Sequence, residues 1–249
     1  MDERLQQLET LCRHPSLSIN PSQNAALIGD IVHSVMYPYF LKKSAGEQER
    51  LKGPVLAHLQ AIAEYGLCEY VESPEPRLTL EVIKGLHRVL YRNCTSVPVK
   101  AVDGSMTAMV PGEFKTTPVF MRRYSNQNEW FGTTEPEHVG HEMAMLLEQL
   151  HEAQTPLFQR YFHFMLGLAL IHPFPDSNGK LARLLGELFL LKQGIQPPCF
   201  ARYESENKQE IAALAEDYMI DPQRDISIFY PVAIKRYQAL LLLADKVTA

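Results

Sequence analysis

Apolar residues recur at intervals of three and four along most of this chain, in Ala25 to Phe40, Pro54 to Tyr65, Leu80 to Tyr91, His138 to His151 and Leu181 to Lys192. That spacing keeps one face of a helix apolar, so the pattern predicts a mostly α fold. The most apolar stretch, Pro156 to Ile171, includes Arg160 and His163 and falls short of the roughly 20 residues that span a bilayer. It reads as a buried helix. Ser73-Pro-Glu-Pro76, with Thr79 as N-cap, marks the start of one helix, and Gln196-Pro-Pro198 follows another. One region breaks the helical pattern. Met109 to Met121 is rich in Thr, Val and Phe around Pro111-Gly112 and predicts a short β-hairpin, after which Arg122 to Pro136 is polar and helix resumes beyond Thr134-Glu-Pro-Glu137.

Composition narrows the class. With 249 residues the chain can bury a substantial core, and 46% hydrophobic with 21% charged residues is ordinary for a soluble globular protein. A net charge of -5 argues against a protein that holds nucleic acid by neutralising many phosphates, although a small nucleotide needs only a local cationic site. Cys12, Cys68, Cys94 and Cys199 form no CxxC pair, which points to thiols in a reducing cytosol rather than disulfides or structural zinc. The charged N-terminus has no signal-peptide pattern.

The chemistry concentrates in Ile171-His-Pro-Phe-Pro-Asp-Ser-Asn-Gly-Lys-Leu-Ala-Arg183, where a buried helix passes through a Pro-bounded loop into a second helix. Asp176, Ser177, Asn178 and Gly179 are turn and N-cap types, so backbone N–H groups at the new helix start are expected to face an anion. Lys180 and Arg183, three apart, share a helix face and can reach the same phosphate chain. Asp176 supplies a hard carboxylate oxygen suited to a magnesium ion that arrives with a nucleotide, and His172 titrates near neutrality.

This segment resembles the signature of the Fic family, His-x-Phe-x-(Asp/Glu)-Gly-Asn-(Gly/Lys)-Arg-x-x-Arg, matching it at His172, Phe174, Asp176, Asn178, Gly179 and Arg183. Leu80 to Leu90 resembles the family's earlier core helix. Pro111-Gly-Glu-Phe-Lys115 resembles its Pro-Gly-x-aromatic-Arg hairpin, and Glu206 to Leu214 is similar to a helix that helps close the nucleotide pocket. The likeness covers roughly residues 79 to 240 and implies an N-terminal helical region over 1–75 followed by a Fic-type helical core with C-terminal helices over 76–249. A small β-hairpin flap would lie beside the active-site loop. Two positions depart from the signature: Ser177 stands in place of Gly, where a positive φ would strain it, and Lys180 stands in place of Arg, losing the bidentate fork.

The resemblance implies an adenylyltransferase that carries AMP from ATP to a hydroxyl of a target protein. His172 would be the general base and Asp176 the magnesium ligand. Ser177, Asn178, Gly179, Lys180, Arg183 and Asn207 would bind the nucleotide, and Gly112, Glu113, Phe114 and Lys115 would dock the target along the flap by main-chain pairing. Phe174 is expected to anchor the loop in the core. The related Doc toxins carry a lysine where this chain has Gly179, which sets the chain nearer to the AMP-transferring members. The implied cofactors are ATP and Mg2+. The implied partner is a protein rather than nucleic acid or membrane, with a homo-oligomer compatible and a cytoplasmic or secreted-effector location. The inhibitory Ser/Thr-x-x-x-Glu-(Gly/Asn) motif of many relatives is not found: the nearest match, Ser16 to Pro21, has Asn20 at the glutamate position, so activity without restraint by an internal glutamate is expected. Three other readings stand beside this one: transfer of UMP, phosphate or phosphocholine, a decayed nucleotide- or peptide-binding module, and a metal hydrolase on His138, His141, Glu142 and His151. The last lacks HExxH spacing.

Overall fold

In a computed structural model, which describes residues 2–41, 45–100, 104–123, 129–198, 214–218, 220–221 and 225–248, helices form at the six apolar stretches named above and at two further places, over 3–12 and 230–248. They are α1 (Glu3–Cys12), α2 (Asn24–Leu41), α3 (Ala45–Gly66), α4 (Leu80–Leu90), α5 (Val139–Leu150), α6 (Leu157–Ile171), α7 (Asn178–Lys192) and α8 (Tyr230–Thr248). α3 begins nine residues ahead of its expected start and runs through Pro54. A π-turn over Leu67–Val71 extends it, and Lys192 of α7 steadies that turn by donating to Tyr70 O (2.7 Å) and Ser73 O (2.9 Å).

α4 illustrates how local sequence sets an element. Thr79 accepts from Val82 N at its start, Glu81 lies in the first turn, His87 and Arg88 lie in the last, and Ile83, Leu86, His87 and Leu90 make the buried stripe. The central helix is α7, buried along Leu181, Leu184, Leu185, Leu188 and Phe189 and packed against α6, α2 and α4. Gly186 permits the close approach of α6: a Cβ there would come within 2.6 Å of Met165 Sδ. α1 packs on α8, so residues from both ends of the chain, among them Leu5, Leu8, Tyr230 and Tyr237, share one apolar core with α6 and α7.

The strands fall differently from expectation. β1 (Val97–Lys100) pairs antiparallel with β2 (Met106–Met109), and β3 (Phe120–Arg122) with β4 (Trp130–Gly132). Met109 to Met121 is therefore not itself a hairpin. Met109 closes one strand pair, Phe120 opens the other, and the ten residues between them are a loop. Pro111-Gly112 does make a turn, yet Gly112 spends its N–H on the side chain of His87 rather than on a facing strand, so no ladder grows from it.

Candidate active site

α6 stops at Ile171 because His172 enters the left-handed region (φ 52, ψ 58) while its N–H still bonds Leu168 O, and Pro173 cannot continue a helix. The loop that follows is closed from inside. The Asn178 side chain accepts from Phe174 N (2.9 Å) and donates to Phe174 O (2.7 Å), with the amide fully buried. Phe174 is buried as expected, its ring stacked on His87 at 3.9 Å and tilted against Phe114 at 5.5 Å. Asn178 was expected to bind phosphate. Its side chain points into the loop, which leaves only its backbone N–H for a ligand.

His172 is half-buried and bonds Ala169 O through Nδ1 (3.2 Å). A carbonyl can only accept, so the proton is assigned to Nδ1 and the lone pair to Nε2. Burial pushes the imidazole down to about 4, and the charge of Lys115 adds to the effect against the opposing pull of Ala169 O and Asp176. The ring is thus neutral at pH 7, the form a general base requires.

At the other end of the loop Ser177 takes the N-cap position with φ 66, a left-handed conformation that favours glycine. Its side chain does not cap α7. The hydroxyl instead lies 2.7 Å from Tyr91 Oη and accepts from Lys180 Nζ (3.2 Å), while Tyr91 donates to Asp176 Oδ2 (2.6 Å). One chain of hydrogen bonds thereby joins Lys180, Ser177, Tyr91 and Asp176. Gly179 is exposed, and a Cβ built on it would lie 3.8 Å from Arg183 Nη1, which puts that guanidinium beside the first turn of α7. The positive end of the helix dipole, a lysine and an arginine converge there, as an anion site needs. Asn207 lies outside the described residues.

The four residues expected to dock a target are placed otherwise. Gly112 (φ 87) is buried, and a Cβ would clash with Arg88 Cγ at 2.5 Å and Lys84 O at 2.9 Å. Phe114 is half-buried against Phe174, and Lys115 is 3% exposed beneath the loop. Glu113 faces solvent, 3.8 Å from Lys84 Nζ. The segment supports the loop from below, because its glycine and lysine are consumed by contacts with α4 and with the end of α6.

Residues 77–190 match the family model described as Fic/DOC family. That segment of the chain is similar to the Fic/DOC family. Within that match lie α4, both strand pairs, α5, α6, the loop and nearly all of α7. Protein adenylyltransferase fic-1 of Caenorhabditis briggsae is 25% identical over 133 residues, 52% of this chain and 22% of that protein. The matched stretch is thus about a fifth of the length of that relative. Among solved structures, a Fic family protein from Desulfovibrio desulfuricans G20 superposes with a TM-score of 0.72 at 14% identity, covering 100% of this chain and 76% of that one. Fic-1 of Caenorhabditis elegans gives 0.59 at 18% identity, covering 99% and 72%. Both likenesses extend the shared fold beyond the matched domain.

Two further residues of the matched segment belong to the site without having been expected there. His87 accepts from Gly112 N at Nδ1 (2.8 Å) and donates from Nε2 to Asp176 O (3.2 Å), bridging the Pro-Gly turn to the loop. Burial drives it down to about 4, so this bridge is a neutral one. Tyr91, just past α4, holds the Asp176 carboxylate. The sequence signal for His87 was its place in the buried stripe of α4, where a histidine has to find partners. His138 and His141 are exposed and His151 Nε2 accepts from Leu78 N, so the hydrolase reading has no site.

Proposed function

We propose that this protein transfers AMP from ATP to a hydroxyl side chain of another protein. The observation that carries the reading is a neutral imidazole, its Nδ1 proton tied to Ala169 O, standing at one end of a loop whose other end opens a cation-flanked helix start. In this scheme the target hydroxyl gives its proton to His172 Nε2 as its oxygen bonds to the α-phosphorus. The bond from that phosphorus to the oxygen bridging to the β-phosphorus breaks, and pyrophosphate leaves. The first-turn amides of α7 with Lys180 and Arg183 offset the charge on the phosphates, so positioning and electrostatics supply most of the acceleration.

The residues fit a magnesium ion that comes with the nucleotide. Among the described residues no group of three or more His, Cys, Asp and Glu side chains gathers to hold a resident metal. Asp176 instead offers one exposed carboxylate oriented by Tyr91, and magnesium commonly takes one or two carboxylates plus phosphate oxygens. When bound, the ion would neutralise phosphate charge.

The reading includes activity unrestrained by an internal glutamate. Asn20 is an exposed N-cap in a reciprocal pair with Gln23, remote in character from a residue that reaches into a site. The decayed-module reading draws on Ser177, whose backbone is strained; against it, the hydroxyl has two hydrogen-bond partners within the site. The deciding test supplies ATP labelled at either the α- or the γ-phosphate, with magnesium and cell lysate. Label entering protein from the α position alone supports AMP transfer. Label from γ alone means phosphoryl transfer, and binding without labelling favours the module. Competition by GTP, UTP and CDP-choline separates other transferred groups.

A further inference from the structure

Lys115 meets the catalytic loop twice. Its backbone N–H donates to Pro173 O (2.9 Å) and its ammonium to Ile171 O (3.1 Å), the carbonyls of the residues on either side of His172. Each contact completes a peptide unit already held at its other end. The Ile171–His172 peptide is bonded through its N–H to Leu168 O, and the Pro173–Phe174 peptide through its N–H to Asn178 Oδ1. With the Pro173 ring fixing φ between them, His172 has little freedom left, and a left-handed conformation that a histidine seldom adopts becomes over-determined.

The chemistry of Lys115 is out of keeping with a packing role. The side chain is 3% exposed, and among the described residues its ammonium bonds two neutral oxygens, Ile171 O and Thr133 Oγ1 (2.6 Å), the latter donating onward to Val119 O (2.7 Å). Burial pushes the ammonium down to about 8 against the pull of Glu135. A buried charge costs far more than a methionine of similar length, so its retention calls for a use specific to charge and reach.

We propose that Lys115 is a positioning residue for the general base, clamping the chain on both sides of His172 through Ile171 O and Pro173 O and placing a positive charge near the imidazole. The role rests on the reading of His172 as the base. The groups that bear on His172 are the charges of Lys115 and Asp176, which oppose each other, and the neutral carbonyl Ala169 O on its own helix. Lys115 is also tied through Thr133 to the end of the β4 strand, so the strand pair and the base are mechanically joined at one buried ammonium.

The test follows His172 by NMR titration of the nucleotide-free protein, which reads the base whether or not AMP is what is transferred, alongside kcat and nucleotide KM. Lys115→Met should raise the pKa of His172 by roughly half a unit or more and lower kcat about tenfold or more at unchanged KM. Lys115→Arg should restore most of both. Thr133→Val, which leaves the charge but loosens the clamp, should lower kcat with a smaller shift in the titration. Should Lys115→Met not fold, Lys115→Arg and Thr133→Val carry the test: both matching wild type in titration and kcat, with no kcat loss in Thr133→Val, overturns the proposal. A folded Lys115→Met with wild-type titration and kcat overturns it directly. A shifted His172 in a protein that transfers no AMP keeps the clamp and refutes the transfer reading instead.

Discussion

The two ends of the loop between α6 and α7 are built by opposite means. At the His172 end every contact lands on a backbone carbonyl: Leu168 O, Ala169 O, and the carbonyls of Ile171 and Pro173 held by Lys115. At the Asp176 end they are side-chain contacts among Tyr91, Asp176, Ser177 and Lys180, close to solvent. The difference teaches how one short loop serves two demands. A base has to be held still and dry, whereas a phosphate and metal site has to rearrange as its ligand arrives, and partly exposed side-chain networks give way at lower cost than buried backbone bonds.

Asn178→Ala should break the comparison most severely, since its side chain closes the loop that separates the two ends. Losing both bonds leaves Phe174 N–H and C=O buried without partners, at about 1 to 3 kcal/mol each. Thermal unfolding should show a drop of several degrees, and transfer should fall by about a hundredfold. A variant with wild-type melting would mean the loop is held elsewhere.

The pH dependence isolates the base end. His172 has its pKa depressed from 6.5 to about 4, so it gains a proton only on the acid side of that value. Transfer at saturating nucleotide should stay flat from about pH 7 down to about 6 and decline on the acid side only as pH approaches 4, where protonated His172 can no longer accept a proton. An acid limb centred near 6.5 would contradict the buried, neutral base.

Ser177→Gly addresses the phosphate end alone. Relief of the left-handed strain gains about 1 kcal/mol, and loss of the hydroxyl's contacts with Tyr91 and Lys180 gives up a comparable amount. Stability should therefore stay within about 1 kcal/mol, with nucleotide affinity changed less than tenfold. Calorimetric titration with ATP and magnesium reads the affinity; a gain in affinity well beyond tenfold would mark Ser177 as a damaged position. Asn20→Glu touches neither end and should leave labelling unchanged; strong inhibition would give the N-terminal segment a regulatory place it does not have in this account.

Helices α2 to α7 were legible because each carries an apolar stretch of its own, whereas α1 and α8 were not singled out, and the loop was legible because turn residues, a base and a carboxylate crowd into one short run. The strand pairing was not, because Pro111-Gly112 signals a turn but not what its N–H will bond, and His87 lies more than twenty residues earlier in the chain. Where the side chains of Lys115 and Asn178 point was not legible for a related reason: residue type tells charge and hydrogen-bonding capacity, while direction depends on packing. Lys115 was expected beside a docked target and is the most buried lysine described. The conformation of Ser177 was anticipated in outline, since the glycine expected there implied a positive φ, but the Tyr91 contact that occupies its hydroxyl requires the end of α4 to be in place.

The direct measurement on His172 is intact-mass analysis of target proteins after incubation with ATP and magnesium, comparing wild type with His172→Ala after both are shown to bind ATP. Wild type should form an AMP adduct, and the variant should lose at least about a hundredfold at similar nucleotide affinity if His172 is the base. Adducts formed equally by both proteins would contradict it.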